Sequence, residues 1–447
     1  MDTRFLETMI NKIKDILKTS DNKRIFSNFL SLSVLQGANL ILPLVTFPYL
    51  VQVLGIEKYG LVAFAQALIA YFSTLTEYGF NLTGTREISI FKNNQTQLIK
   101  RFNSIQQARI FLVVLGFLLM TIIVFSFQKF QNDWQLYFLT YGVVVGTAMF
   151  PTWFFQGIQK MKFITILSVI SKTIFTISIF FLVKSPEDYL WVPASQALGG
   201  VFVAVISLIL INRKFKIPFK YQKFKYVLQQ YKKGGYVFMS SISINLYSAT
   251  TTFVLGLFTN NTMVGYYSIA NRVVKIIVSL FTPFYQAIYP HVIQLSKKSY
   301  LETINLIRKI LKFSLIISFL VLGCGIVLAE PMFKLVFGED VEHSILLFKI
   351  LSPLIIVLPI AYVLFNITLL TFKMDKYFLR IYITGAILNI FLLTLFLYIL
   401  DLSTIGAAFA LLICESSLTI YAAILLHKHK INVFPFLHSK TIYNKTF

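Results

Sequence analysis

The sequence predicts an all-α polytopic membrane protein. About twelve transmembrane helices are expected in two six-helix lobes, related by a parallel pseudo-twofold repeat around a central cationic cleft. The first reason is composition, since 57% of the 447 residues are hydrophobic and only 13% are charged, whereas soluble domains average about 25% charged residues. The second is the placement of basic residues in alternate loops. The third is a basic connector that divides the apolar runs into two equal sets.

Hydropathy separates runs long enough to cross a bilayer, for which a helix needs about 20 apolar residues. Before them, residues 1–25 carry apolar and basic side chains at helical spacing, which predicts an amphipathic helix on the membrane face, with a frayed tail as the alternative. The predicted spans are 27–54, 60–80, 109–128, 134–157, 163–183, 190–211, 235–258, 264–291, 311–329, 344–371, 379–400 and 403–427.

The basic residues predict the orientation of these spans. Most of the 41 Lys and Arg residues lie in the N-terminal segment, in every second loop and in the tail after the last span. Because cytoplasmic loops carry the excess of Lys and Arg, both termini are predicted to be cytoplasmic. This distribution accounts for the formal net charge of +23 without a nucleic-acid partner. The only basic residues of the intervening loops are Lys58, Lys129, Lys184 and Lys334.

A basic and aromatic segment at 212–234 separates the sixth span from the seventh. Its composition imitates a nucleic-acid patch, but between two membrane spans it is interpreted as a cytoplasmic connector that lies against anionic lipid. It divides the chain into an N-lobe at 26–211 and a C-lobe at 235–427, followed by a cytoplasmic tail at 428–447.

A short internal echo supports a parallel repeat, with the substrate site between the halves. In each half, a Val-Leu-Gly sequence ends the first span and a Gly-Tyr or Tyr-Gly pair follows it. The residues concerned are Val53-Leu54-Gly55 with Tyr59-Gly60, and Val254-Leu255-Gly256 with Gly265-Tyr266.

The most informative span is 264–291, because it carries Arg272 and Lys275 near its middle. Each such cation costs about 2.5–3.5 kcal/mol at the centre of a membrane helix unless its face is turned into protein or a wet cavity. Two interpretations stay open: a cationic transport cavity, and a structural or snorkelling pair near the interface. The polar residues that share one helical face are Ser268, Arg272, Lys275, Ser279, Thr282 and Gln286.

The remaining charges within the predicted spans are Lys172 and Lys349, opposed by Glu77 and Glu415. With Arg272 and Lys275 included, the predicted spans contain four cations and two anions. A cavity with this excess of positive charge suits an anionic ligand. The two glutamates either pair with a cation or carry protons in a coupled cycle. Uncharged polar residues on the predicted spans are equally explained as helix-packing contacts; they include Gln36, Asn39 and Asn245.

No motif predicts an enzyme, a metal or a cofactor. None of the five histidines forms an HExxH pattern, and no Walker A glycine loop is present. The two cysteines, Cys324 and Cys414, lie in apolar runs. The outer loops are short, the longest being about 330–343, whereas a membrane glycan polymerase is expected to fold its active site in a large outer loop.

Two further residue types predict local features of the spans. Prolines are expected to bend three spans, because each removes a backbone donor; they are Pro43, Pro48, Pro283, Pro290, Pro353 and Pro359. Tryptophans are expected at the interfaces, Trp134 and Trp191 at the outer one and Trp153 towards the inner one.

Residues 31–88 resemble the opening of the Wzx-type polysaccharide flippases, within the multidrug/oligosaccharidyl-lipid/polysaccharide exporter superfamily. The resemblance continues in the Pro-Thr-Trp-Phe-Phe-Gln-Gly sequence at 151–157 and in the Leu-Gly and Gly-Tyr-Tyr-Ser sequences within 255–268. Two positions depart from the family pattern. Gln52 stands where a basic residue is usual, and Thr152 stands where an acidic residue is common.

The resemblance implies a flippase of the bacterial inner membrane that works by alternating access between two six-helix lobes. Its substrate would be an oligosaccharide repeat unit on undecaprenyl pyrophosphate, moved from the cytoplasmic to the outer leaflet for assembly of O-antigen, capsule or a related glycan. A polysaccharide polymerase and a chain-length regulator are the implied protein partners.

Site roles follow from that implied substrate. Arg272 and Lys275 would contact the anionic head, and Lys172 and Lys349 would add to the field. Arg86, at the inner end of the second span, would guard the cytoplasmic entrance or act as an interfacial anchor. The residues expected to contact sugars are Gln36, Asn39 and Asn245.

Three rival functions are weighed against this one. A cation-coupled multidrug exporter of the same superfamily commonly carries cationic substrates, which a net-positive interior disfavours. A lipid II flippase usually has more than twelve spans. A membrane-embedded glycan polymerase or acyltransferase is disfavoured by the short outer loops.

Overall fold

The computed structural model describes residues 20–433, except for the side chains of residues 20–33, 236, 240, 241 and 243–248. Within that range the chain is helical, with short connections and no β-strand. The predicted amphipathic segment at 1–25 and the predicted tail at 428–447 lie largely outside the described residues, as does the side chain of Asn245.

The α-helices of the described chain are α1 Ser20–Glu77, α2 Phe80–Phe91, α3 Gln95–Ser126, α4 Gln128–Gln131, α5 Trp134–Met149, α6 Thr152–Gly157, α7 Met161–Leu182, α8 Trp191–Phe215, α9 Phe224–Phe258, α10 Asn261–Ser279, α11 Thr282–Ser296, α12 Tyr300–Phe337, α13 Glu342–Leu351, α14 Leu354–Tyr362, α15 Asp375–Leu393 and α16 Ser403–Lys428. A 3₁₀ turn at Pro186–Leu190 precedes α8, and π-helical turns at Val363–Leu369 and Thr394–Ile399 follow α14 and α15.

Length and composition allow eight helices of the described chain to cross a membrane, or ten when each bent pair is taken as one span. This confirms the prediction of an all-α, multi-pass membrane protein. Every predicted span overlaps a helix, and the first two are the limbs of α1. The count of twelve in two six-helix lobes stays a prediction.

Gly55 separates the two limbs of α1. Its backbone is not helical, with φ 71° and ψ 168°, a region that glycine enters without the steric cost that a Cβ atom imposes. The break lies where the sequence echo places the end of the first span. Pro43 and Pro48 lie within α1 on the N-terminal side of this break.

Two of the predicted proline bends are present. α10 and α11 meet at 41°, with Pro283 in the first turn of α11, and α13 meets α14 at 43°, with Pro353 at the junction. A proline tolerates the first turn of a helix because its missing N–H has no intrahelical partner there. Pro290 and Pro359 lie inside α11 and α14.

The chain folds into two compact units, each formed by two stretches of sequence. Unit 1 comprises Met1–Leu54 and Leu68–Ile242, and unit 2 comprises Gly55–Ala67 and Ser243–Phe447. The predicted second span therefore contributes residues to both units, and so does the predicted seventh span. The assignment of 26–211 and 235–427 to two lobes stays a prediction.

Unit 1 has an aromatic core around α6. Trp153 is fully buried, and its ring lies 5.4 Å from that of Phe102 on α3. A Cβ atom added to Gly84 would come within 3.0 Å of Trp153, so α2 approaches α6 closely. The expectation that Trp153 belongs to an interfacial belt is therefore wrong, because the ring fills the space that Gly84 leaves open. Trp134 and Trp191, by contrast, are 44% and 45% exposed.

Unit 2 contains a close crossing of the second limb of α1 with α10. A Cβ atom added to Gly60 would lie 1.9 Å from the carbonyl oxygen of Asn261, and one added to Gly265 would lie 2.1 Å from the carbonyl oxygen of Ile56. Each oxygen belongs to the residue four positions before the other glycine. The two glycines of the sequence echo thus contact each other reciprocally. Small residues permit this approach of membrane helices.

Candidate functional site

Arg272 and Lys275 lie on α10 in unit 2, and both side chains are exposed. The predicted polar stripe is only partly continuous around them. Ser268 is buried, with 9% of its surface exposed. Thr282 lies beyond the bend that follows Ser279 and belongs to the next helix, α11. The exposed part of the stripe on α10 is therefore centred on the two cations.

Lys275 interacts electrostatically with Glu415 on α16, and surrounding protein atoms desolvate its ammonium group although the side chain is exposed. Arg272 also acts on Lys275, with repulsion that Glu415 offsets. The structure thus brings together Arg272, Lys275 and Glu415, three residues that the sequence singled out separately.

Tyrosines surround this charged group, and sequence reasoning did not identify them. Tyr59 interacts electrostatically with Arg272, while Tyr267 and Tyr382 interact with Glu415. Tyr59 is 8% exposed and Tyr267 is fully buried. The available signal was the pair of echo sequences, since Tyr59 precedes Gly60 and Tyr267 follows Gly265 by two residues. Phenolic hydroxyls both donate and accept hydrogen bonds.

Lys172 and Asn39 meet within unit 1. The Lys172 ammonium on α7 donates a hydrogen bond to the Asn39 side-chain oxygen on α1, and both side chains are half-buried. The sequence had placed the first in a cationic field and the second in sugar recognition. The structure shows that these two residues are direct partners.

Arg109 is the buried cation that sequence reasoning missed. It lies on α3 at 2% exposure, and its Nη2 donates to the Thr147 carbonyl oxygen in the last turn of α5, at 3.2 Å. Nε and Nη1 are buried without a hydrogen-bond partner, and Glu77 supplies the nearby negative charge. A cation suits the C-terminus of a helix, where unpaired carbonyls point outward. Its position at the boundary of a basic loop and a predicted span concealed this role.

The other predicted site residues with described side chains are Lys349, Arg86 and Gln36. Lys349 is exposed on α13, and the carboxylate on which it acts is Glu330. Arg86 is exposed on α2, while the adjacent Glu87 pairs with Arg101 at 3.3 Å and Lys233 at 2.6 Å. Gln36 is half-buried on α1. In the described part of the chain, no group of three or more His, Cys, Asp or Glu side chains is placed to hold a metal ion.

Solved structures define the class of fold. An inward-facing multidrug-resistance MATE family transporter of the MOP superfamily is similar with a TM-score of 0.67 and 12% identity, covering 92% of this chain and 100% of the other. The lipid II flippase MurJ, in an inward closed conformation, is similar with a TM-score of 0.68 and 13% identity, covering 90% and 87%. The fold is therefore that of the MATE and MurJ transporters.

The family follows from sequence. The "Polysaccharide biosynthesis protein" family matches residues 25–296, and the chain belongs to that family. A protein of Escherichia coli strain K12, provisionally named an O-antigen transporter, is 29% identical over 91% of this chain and 97% of its own length. A Shigella dysenteriae protein with the same provisional name is 25% identical over 81% and 90%. The resemblance to polysaccharide flippases is confirmed, and the chain is a flippase-type membrane transporter at the level of its family.

Proposed function

We propose that this protein moves oligosaccharide repeat units, linked to undecaprenyl pyrophosphate, from the cytoplasmic to the outer leaflet of a bacterial inner membrane. The supporting observation is the exposed cationic pair Arg272 and Lys275 on α10, within a chain whose relatives are named for O-antigen transport. A pyrophosphate needs cations in a membrane segment, and guanidinium and ammonium groups bind it with charge-assisted hydrogen bonds.

The fold alone does not separate a lipid-linked sugar flippase from a drug exporter, because one structure of each kind is similar to this chain to the same degree. The positive charge of Arg272 and Lys275 favours a flippase of anionic lipid-linked sugars over an exporter of cationic drugs. Arg272 and Lys275 are exposed where a cationic drug would meet repulsion, and only Glu415 opposes them among the groups acting on Lys275. A flippase needs no catalytic constellation, so we assign the protein no enzymatic activity.

Lys275 would take part in both substrate binding and ion coupling. A bound pyrophosphate competes with Glu415 for the Lys275 ammonium, and the displaced carboxylate can then take a proton. We assign the coupling role to Glu415 rather than Glu77, because Glu77 interacts electrostatically with the buried Arg109. Alternating access, cytoplasmic termini, and cooperation with a polysaccharide polymerase and a chain-length regulator belong to the same proposal.

Deleting the gene tests the proposed direction and cargo. We expect complete lipid-linked repeat units to accumulate in the inner leaflet, with loss of surface glycan and recovery on complementation. The leaflet is measured with a membrane-impermeant glycan label in intact spheroplasts. Units that reach the outer leaflet and stay unpolymerised would contradict transport and favour a polymerase. Unchanged glycan with altered drug sensitivity would favour an exporter.

The glutamate assignment has its own test. Export by the Glu415→Gln variant should become insensitive to dissipation of the proton gradient, since the variant side chain cannot titrate. The wild type should slow under the same treatment. Equal sensitivity of the two proteins would remove Glu415 from the coupling mechanism and leave the cargo assignment standing.

A further inference from the structure

Side chains of α3 hold the connector between α8 and α9 in one conformation. Asn103 accepts a hydrogen bond from the Lys220 amide nitrogen and donates to the Pro218 carbonyl oxygen, both at 3.0 Å. Gln107 accepts from the Gln222 amide nitrogen and donates to the Lys220 carbonyl oxygen, again at 3.0 Å. Each carboxamide therefore pairs with the N–H and the C=O of alternate connector residues.

The spacing of these bonds shows that helix and connector run in register. Four residues of an α-helix rise about 6.0 Å, and two residues of an extended strand rise about 6.6 Å. A carboxamide on each successive turn of α3 thus meets every second connector residue, as the edge of a neighbouring strand would. Gln95 extends the row by donating to the carbonyl oxygens of Phe215, at 3.1 Å, and Lys216, at 2.8 Å. The path of the connector is therefore fixed, unlike that of a flexible tether.

The connector presents several exposed lysines. The sequence contains no acidic residue from 212 to 235. Among the described residues, no carboxylate pairs with the exposed lysines of the segment 216–225, which are Lys216, Lys220, Lys223 and Lys225.

Three other basic residues, Lys233, Lys100 and Lys214, are already engaged with neighbouring side chains. Lys233 pairs with Glu87 at 2.6 Å, and Lys100 lies 3.5 Å from the centroid of the Tyr226 ring. Lys214 lies 4.9 Å from the centroid of the Phe163 ring.

Large aromatic side chains alternate with these lysines and are strongly exposed. Phe219 is 63% exposed, Tyr221 is 84% exposed and Phe224 is 61% exposed. The segment begins directly after Phe215, at the end of a helix able to span a membrane, so it lies where the bilayer surface begins. Exposed aromatic groups with adjacent lysines are the composition of segments that enter the lipid headgroup layer.

We propose that residues 216–225 form a docking surface for anionic phospholipid headgroups. The four lysines contact lipid phosphates, and the three aromatic side chains enter the interfacial layer between them. The hydrogen bonds to α3 present all seven side chains together, so binding does not have to order a loose chain. This role goes beyond the transport of the glycan and holds whichever cargo the protein carries.

The test is native mass spectrometry of the full chain in detergent, titrated with phosphatidylglycerol or phosphatidylcholine. We expect the wild type to retain phosphatidylglycerol preferentially. Replacing Lys216, Lys220, Lys223 and Lys225 with Gln should weaken its binding at least about tenfold, since each basic residue near an anionic surface contributes about fivefold. A matched variant replaces four other exposed lysines with Gln and should keep wild-type binding: Lys297, Lys298, Lys309 and Lys312.

Two more variants separate the parts of the surface without touching its lysines. Replacing Phe219, Tyr221 and Phe224 with Ser should weaken phosphatidylglycerol binding about threefold to tenfold. Replacing Gln95 and Gln107 with Ala should speed amide hydrogen exchange at 216–223 and weaken binding in parallel. Unchanged binding in both of these variants would show that the lysine charges alone account for lipid binding, and would overturn the proposal.

Three results of the titration would also overturn it. Equal loss in the connector variant and the matched variant would remove the assignment to 216–225. Equal retention of the two lipids by the wild type would remove the selection for anions. Retention of soluble polyglutamate in preference to phosphatidylglycerol would identify an acidic protein segment as the partner instead.

Discussion

The two units of the protein use charged groups in different ways. In unit 1, Arg109 is buried, donates to the Thr147 carbonyl and faces Glu77, while Lys172 donates to Asn39. In unit 2, Arg272 and Lys275 are exposed on one helix. Arg109 and Lys172 are thus committed to partners inside the protein, whereas the side chains of Arg272 and Lys275 are accessible.

This difference shows that a charge within a membrane helix is not by itself a substrate site. A buried guanidinium that binds the carbonyls at a helix end stabilises the fold, and its removal leaves unpaired groups in a low-dielectric interior. An exposed cation on a membrane helix can exchange water for a ligand anion. The comparison therefore predicts a loss of transport from substitution of Arg272 and Lys275, and a loss of stability from substitution of Arg109.

The largest effect is expected for the double variant Arg272→Ala with Lys275→Ala. Loss of two charge-assisted contacts to pyrophosphate, each about 1.5–3 kcal/mol, lowers affinity by a factor on the order of 100 or more. Surface glycan should fall to the level of the gene deletion, measured by immunoblot beside the membrane abundance of the protein. The variant Lys297→Ala with Lys298→Ala removes two exposed lysines and serves as the control. Normal export by a correctly inserted double variant would disprove the proposed site.

Arg109→Met should instead reduce the free energy of unfolding by about 3–5 kcal/mol, since it breaks a buried charged contact and leaves the Thr147 carbonyl and Glu77 without their partner. Thermal unfolding in detergent measures the loss. Adding Glu77→Gln should restore part of it, because the uncompensated negative charge is then removed. Arg272→Ala, measured in parallel, should stay within about 1 kcal/mol of the wild type. Equal losses of stability in Arg109→Met and Arg272→Ala would contradict the proposed difference between a structural cation in unit 1 and a substrate-binding cation in unit 2.

The glycine crossing of unit 2 is expected to give a smaller loss of stability. In Gly265→Ala the new methyl group would lie 2.1 Å from the Ile56 carbonyl oxygen, and such overpacking costs about 1–3 kcal/mol. Gly323→Ala is the matched control, because no neighbouring atom lies within 4 Å of the added carbon and alanine favours a helix more than glycine does. An equally mild effect at both positions would contradict the close crossing.

Much of this architecture is predictable from sequence, for reasons that particular residues illustrate. Hydropathy locates the spans because a bilayer-crossing helix must be apolar over its whole length. Pro283 and Pro353 mark bends because they lack a backbone donor, and Gly55 marks a break because its φ is positive. These signals are local, so each can be identified from a few neighbouring residues.

Partnerships between distant residues are not predictable in this way. Trp153 is of a residue type that is common at membrane interfaces. It is a core residue only because Gly84, on another helix, leaves space for its ring. Arg109 has the position of a loop cation, and only the end of α5 explains its burial. Lys275 and Glu415 are 140 positions apart in the numbering, and no periodicity connects them. Pairing of this kind depends on tertiary packing, which one sequence does not encode locally.

The smallest effect is expected at Lys172. Because its ammonium group already donates to Asn39, Lys172→Met should reduce export only about threefold, through a weaker positive field rather than a lost substrate contact. Asn39→Ala leaves the ammonium charge in place and should reduce export less, and the double variant should be no worse than Lys172→Met, since partners in one contact are not additive. Export is measured as surface glycan at equal protein abundance. If Lys172→Met abolished export while Asn39→Ala did not, unit 1 would supply a direct substrate cation, and the division of roles between the units would be wrong.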